Sequence, residues 1–148
     1  MKKTELQKFK KCYEKSGKGY KIIKQYTFPK LDYDFPDMES DNCEILNGYL
    51  TLFVEFWWNG ATKFPDIESI MRASAGHDGI FDLIIKYMKD SKVPKKLVKL
   101  ANKQLYKWCR EDGMNLCLAK IIYRAVRIFG GNTIKKYYKK KQKKEIKK

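Results

Sequence analysis

A chain of 148 residues that is 43% hydrophobic and 14% aromatic has the size and composition of one folded domain, which excludes a wholly disordered protein. Its net charge of +16 lies at the two ends: residues 1–30 and 131–148 each carry a net charge of +8, and residues 31–130 sum to zero. This distribution argues against a positive groove on the domain and for basic ends that attract an anionic partner.

Cysteine and histidine usage gives no metal-site pattern. Cys12, Cys43, Cys109 and Cys117 lack the CxxC spacing of zinc and redox motifs, so we interpret them as free thiols of a protein made in a reducing compartment. With one histidine, we expect no cofactor, and a divalent metal enters only in the alternative considered below. The chain lacks the apolar run of a secretory signal in residues 1–25 and any transmembrane-length apolar stretch, so we expect a cytoplasmic location.

The first part of the chain predicts β-structure. Residues 1–19 are lysine-rich and weakly periodic, so we expect a frayed basic N-terminal segment before a first strand within residues 20–28. Asn47-Gly48 favours a type I′ turn between two runs of β-branched, apolar and aromatic residues, which predicts a hairpin over residues 44–58. Asn59-Gly60 then breaks the second arm.

Helical spacing of apolar residues dominates from residue 67 onward. It predicts one helix over residues 67–89, a second that begins at Pro94 and closes at Gly113, and a third that Asn115 caps and Gly130-Gly131 ends. The inward positions predicted on the last two helices are Val98, Ala101, Leu105, Trp108, Cys109, Leu118, Ile121, Ile122, Ala125, Val126 and Phe129. After these helices the chain is mostly lysine, so we expect a marginal helix that becomes disordered.

These elements define the fold class. We predict an α+β protein in which an N-terminal β-hairpin or small antiparallel sheet precedes three or four packed helices. The basic N-terminal segment spans residues 1–19, a single α+β domain spans residues 20–131, and a Lys-rich C-terminal tail spans residues 132–148. The tail lysines expected to contact an anionic polymer such as nucleic acid, without sequence specificity, are Lys135, Lys136, Lys139, Lys140, Lys141, Lys143 and Lys144.

One place in the predicted helices has the residue types of acid–base chemistry. His77, the only histidine, is followed by Asp78 and flanked by glycines, and an imidazole beside a carboxylate suits acid–base catalysis or metal binding. Successive helix residues point about 100° apart, so this pair needs partners from elsewhere in the fold. Asn102 lies in an apolar stripe and needs a partner when buried, so we predict that it pairs with the His77-Asp78 region. The alternative is that His77 only bridges groups inside the helix packing.

Residues 57–130 resemble a family known mainly from tailed phages and prophages and catalogued as domain of unknown function 1353. The resemblance rests, in this order, on WNGAT (58–62), IMRASAGHDGIF (70–81), LAN (100–102), EDGM (111–114) and YRAVRIFG (123–130). It implies a phage-encoded protein of the host cytoplasm or the virion and a shared fold, and it brings no established activity.

The sequence departs from the pattern of that family at several positions. Asn59 stands where the family usually has Asp, Thr62 where it has Ser, Phe81 where it has Tyr, and Asn102 where it has Asp, whereas His77 and Asp78 are kept. An amide binds a cation weakly and cannot act as a base. The resemblance therefore implies that any metal-assisted centre of the family is degenerate in this chain.

Two functions are considered as hypotheses. The first is a binding or virion-assembly accessory with Lys-rich ends that attract an anionic polymer, with other phage structural proteins as further candidate partners. Its rigid core is held by a polar network of Asn59, Thr62, His77, Asp78 and Asn102. The second is a small metal-assisted hydrolase of peptides or peptidoglycan, with His77 and Asp78 as the catalytic pair. The amide replacements favour the first hypothesis and a non-enzymatic role.

Overall fold

The computed structural model describes residues 4–61 and 64–146 and has two small antiparallel sheets followed by three long helices. The predicted α+β class is confirmed. The elements in chain order are α1 (Glu5–Lys10), β1 (Tyr13–Ser16), β2 (Gly19–Ile22), β3 (Tyr26–Thr27), β4 (Met38–Glu39), β5 (Cys43–Leu46), β6 (Tyr49–Leu52), β7 (Trp57–Trp58), α2 (Glu68–Tyr87), α3 (Lys95–Glu111) and α4 (Leu116–Ile146). No helix in these residues combines the length and apolar character needed to cross a membrane.

The N-terminal segment is ordered from residue 4 onward, in contrast to the frayed end that its lysines suggest. Thr4 and Gln7 form a reciprocal capping box at the start of α1. Phe9 on α1 is fully buried and packs against the rings of Tyr26 and Trp58, with centroid distances of 5.0 Å and 5.9 Å. Phe9 therefore helps to attach this lysine-rich segment to the core, together with Tyr13, whose ring also packs against Trp58.

The two sheets have the strand orders β1-β2-β7 and β3-β6-β5-β4. The predicted hairpin is confirmed as β5–β6, with Asn47 and Gly48 at φ values of 51° and 84°. Its second arm does not run unbroken to Trp58, because β6 ends at Leu52 and Glu55 takes a φ of 81°. The chain there leaves one sheet, and β7 pairs with β2 in the other.

Helix α2 lies between the strands and α3, and its glycines permit close approach on both sides. A Cβ atom on Gly76 would lie 2.5 Å from the Trp108 ring of α3, and one on Gly79 would lie 2.9 Å from the Leu52 side chain of β6. On the strand side, the Cys43 thiol donates to the Gly79 carbonyl oxygen at 3.5 Å. The glycines that weaken the helical pattern in the sequence thus let α2 pack tightly on both sides.

The predicted bounds of α3 and the start of α4 agree with the structure. Pro94 precedes α3, Gly113 follows it with a φ of 96°, and the Asn115 side chain accepts a 2.8 Å hydrogen bond from the Leu118 amide. The predicted inward stripe of α3 is buried.

The predicted end of the last helix at Gly130-Gly131 is wrong, because α4 continues to Ile146. Gly130 is buried where α4 passes Phe81 and Asn102, and Ile134 and Tyr138 beyond it are also buried. These contacts supply the packing that a lysine-rich helix lacks by itself. Two residues predicted to face inward, Ile121 and Phe129, are 56% and 43% exposed, because α4 is covered along a narrower face than its apolar residues suggest.

We expect Gly131→Ala to raise the free energy of unfolding by roughly 0.5–1 kcal/mol, because Gly131 lies inside α4 with open space around its Cβ position. Urea unfolding measures the change. Gly76→Ala is the matched control and should lower the same quantity by roughly 1–3 kcal/mol, because its methyl group overlaps Trp108. A destabilising Gly131→Ala would mean that α4 ends near this residue.

Candidate functional site

His77 and Asn102 form a buried pair between α2 and α3. The His77 Nε2 atom lies 2.8 Å from Asn102 Oδ1, and the two residues are 7% and 3% exposed. The Phe81 ring packs on the imidazole with a centroid distance of 4.1 Å. The predicted pairing of Asn102 with the His77-Asp78 region is therefore confirmed for His77.

The environment of His77 keeps its imidazole neutral. Burial lowers the pKa of His77 to about 4, and the hydrogen bond to Asn102 opposes this shift only in part. With Asn102 Oδ1 as the acceptor, the neutral ring donates its Nε2 proton across the interface between the helices. The pair can thus join α2 to α3, and its chemistry at neutral pH is that of a fixed hydrogen bond.

Asp78 is partly buried on α2 beside the histidine in sequence. Burial, and to a smaller extent the nearby Asp82 carboxylate, raise the pKa of Asp78 to about 8. The carboxyl group therefore holds its proton at pH 7, and in that form it neither accepts a proton nor binds a cation well. His77 is thus neutral but buried away from solvent, and Asp78 is in the protonated form, which cannot act as a general base.

Two further members of the predicted polar network are Asn59 and Thr62. Asn59 is exposed on the turn that follows β7, and Thr62 lies outside the described residues. The structure thus brings together His77 and Asn102 from a predicted set of five residues. Among the residues that the structure describes, no group of three His, Cys, Asp or Glu side chains is arranged to hold a metal ion.

Arg72 forms a second polar cluster, which the sequence analysis missed. Its guanidinium is fully buried, and its Nε and Nη2 atoms donate to both carboxylate oxygens of Asp112 at 2.9–3.2 Å. Nη2 also donates to Glu111 at 3.1 Å, and the guanidinium lies over the Phe28 ring. This ion pair connects the first turns of α2 to the end of α3.

Two features of the sequence could have identified this cluster. Arg72 is the only charged residue between Glu68 and Asp78 in an otherwise apolar or small stretch, and a buried arginine requires an acidic partner. EDGM supplies two adjacent acids at the predicted end of the next helix. Both pieces belong to the segments that carry the family resemblance, as do His77 and Asn102.

A cleft of about 360 Å³ opens beside this ion pair. The residues that line it are Thr4, Glu5, Leu6, Arg72, Glu111, Asp112 and Gly113. A second cleft, of about 230 Å³, lies beside Met38 and Tyr87. His77, Asp78 and Asn102 line neither of these clefts. The residues predicted to be catalytic therefore have no binding cavity in either place.

The basic residues of α4 divide into a solvent-facing set and one internal contact. We define the lysine face as the exposed residues Lys135, Lys136, Lys139, Lys140, Lys143 and Lys144. Lys141 is different, because its ammonium group donates to the carbonyl oxygens of Ile85 and Lys86 at 3.3 Å and 2.9 Å. It satisfies carbonyl groups at the end of α2, so the prediction that it contacts an anionic partner is replaced by a structural role.

Comparisons with protein-family models, with curated proteins and with solved structures find no significant match for this chain.

We expect Arg72→Met to lower the free energy of unfolding by roughly 3–5 kcal/mol, because it leaves the Asp112 carboxylate buried without its partner. Chemical denaturation at pH 7 measures the loss. The double variant Arg72→Met with Asp112→Leu removes both charges and should recover a large part of the stability. If the loss in the double variant equals the sum of the losses in Arg72→Met and Asp112→Leu measured separately, a direct ion pair is contradicted.

His77 should make stability fall in acid. Because its pKa in the folded protein lies below the ordinary value, the unfolded chain alone binds the proton between pH 6.5 and about 4. The free energy of unfolding that His77 contributes should therefore decrease by roughly 2–3 kcal/mol from pH 7 to pH 4.5.

The comparison with His77→Gln isolates this effect, because Asp78 titrates in both proteins and glutamine keeps a hydrogen-bond donor. Both proteins are denatured at pH 7 and at pH 4.5. The unmodified protein should lose more unfolding free energy between these pH values than the variant does. A difference in stability that is independent of pH would indicate a normally titrating imidazole and would revive the catalytic interpretation.

Proposed function

We propose that this protein is a non-catalytic accessory module that binds nucleic acid, without sequence specificity, through the lysine face of α4. The phage and virion context is the one that the family resemblance implies. The observation that carries the proposal is the position of six exposed lysines on one ordered helix.

The geometry of α4 supports a binding surface. Ile134 and Tyr138 are buried on one side of the helix, so the residues on its other side point to solvent. With 3.6 residues per turn, Lys135, Lys139 and Lys143 follow one row, and Lys136, Lys140 and Lys144 follow the next. Two adjacent rows of ammonium groups provide several simultaneous phosphate contacts.

The balance of charge also favours α4 over the rest of the surface. Helix α4 carries ten lysine or arginine residues against Glu145 alone. Some basic residues elsewhere are paired with acids, namely Lys8, Lys10, Lys21, Arg72 and Lys107. In residues 4–61 and 64–146, none of the ion pairs within 4.0 Å involves a residue of α4.

The hydrolase hypothesis has less support from the candidate site. It needs an acid–base pair or metal ligands that a substrate can reach. His77 is instead buried against Asn102 and Phe81, and Asp78 is protonated at neutral pH. These contacts favour a structural role for His77 and Asp78. The lysine face of α4 is then the feature that best supports binding of a partner.

The test measures binding of a fluorescently labelled duplex by anisotropy over a range of salt concentrations. Changing Lys135, Lys139 and Lys143 together to serine should weaken binding and reduce the slope of log K against log salt by roughly 3, because each lysine releases about one counterion. The matched control changes Lys95, Lys96 and Lys99 of α3 to serine. It removes the same charge from exposed positions and should leave the slope nearly unchanged.

Three outcomes would contradict the proposal. These are the absence of duplex and single-strand binding at low salt, equal effects of the two triple variants, and tighter binding to anionic lipid vesicles than to nucleic acid. The vesicle arm is included because the first half of α4 exposes Ile121 and Ile128, which an anionic membrane surface would also contact.

A further inference from the structure

We propose that the nucleic acid bound by the lysine face is a double helix, contacted through its phosphates alone. This inference rests on the proposed function and narrows its ligand. It depends on two properties of the second half of α4: its lysines project from an ordered helix, and its exposed face offers a single half-exposed aromatic ring, Tyr137.

The order of this segment results from anchoring contacts along the opposite side of α4. Ile134 and Tyr138 are 0% and 3% exposed, and Lys141 is hydrogen-bonded to the end of α2. Lysines four residues apart are therefore held about 6 Å apart along the helix axis. Because the backbone of this segment is already ordered, binding to the fixed phosphates of a duplex costs only the ordering of the lysine side chains.

The second half of α4 offers little aromatic surface beside the lysine face. Single-stranded nucleic acid is bound by stacking successive bases on several exposed aromatic rings. Tyr138 is buried, and Tyr137 is 46% exposed with the Lys140 ammonium group 5.3 Å from its ring centroid. One half-exposed ring offers one stacking position, which is less than the row of rings that favours separated strands.

Base recognition by this segment would fall mainly to its lysines. In a duplex, arginine or lysine reads guanine, and asparagine or glutamine reads adenine. Gln142 donates its amide nitrogen to the Tyr138 hydroxyl at 3.0 Å, and a lysine ammonium is a point charge on a flexible stem, which suits phosphate better than paired contacts to a base. Contacts from this segment should therefore depend on backbone charge and on duplex geometry, independently of sequence.

The experiment compares a duplex with a single strand of the same total phosphate number, using the full chain and anisotropy at one salt concentration. We expect about tenfold tighter binding to the duplex, and equal binding to duplexes of different sequence. The variant Tyr137→Pro keeps every lysine and should break the second half of α4, which circular dichroism would report as lost helicity. It should reduce the duplex preference to about twofold or less.

Gly131→Ala serves as the helix-preserving control and should keep the full duplex preference. Equal or tighter binding of the single strand by the unmodified protein would overturn the duplex inference and leave the proposed function intact, whereas binding of neither probe would remove both. A Tyr137→Pro protein that has lost helicity but still prefers the duplex tenfold would show that charge alone, without the ordered array, determines the preference.

Discussion

The structure depends on the burial of α2 between the sheets and the other helices. Fourteen of its twenty residues are buried, including Arg72, Ser74 and His77. A polar side chain at such a position must have a partner, because an unpaired buried group is costly. Arg72 and His77 find their partners on α3, in Asp112 at its end and Asn102 within it, and Ser74 accepts a hydrogen bond from the Trp58 indole of β7. These pairs fix the orientation of α2.

These contacts join segments that are far apart in the sequence. Arg72 and His77 lie on α2, and their partners lie in EDGM (111–114) and LAN (100–102). Gly130 of α4 packs beside Asn102. The contacts hold the helices together, and Asn102 suits this role because its amide oxygen accepts a hydrogen bond from a neutral imidazole.

The sequence predicts the parts of the fold that local signals determine. Asn47-Gly48 identifies its turn, Pro94 and Gly113 bracket α3, and the Asn102 pairing follows from a polar residue in an apolar stripe. The remaining features depend on tertiary contacts. The many lysines around Phe9 give no indication that its side chain is buried. The burial of Ile134 and Tyr138 stabilises α4 beyond Gly130 and Gly131. Arg72 was missed because a single charged residue in a helix is usually solvent-exposed.

The extension of α4 changes what the basic C-terminal end can do. A disordered lysine tail attracts any polyanion, and it must be ordered each time it binds. In the structure, folding of the domain already orders this segment, because the side of α4 that carries Tyr138 is packed while the lysine face stays in solvent. The same packing that stabilises a helix of poor intrinsic stability therefore also sets the spacing of its charges. Under the proposed function, a substitution on the buried side of α4 should therefore alter binding even though it removes no charge.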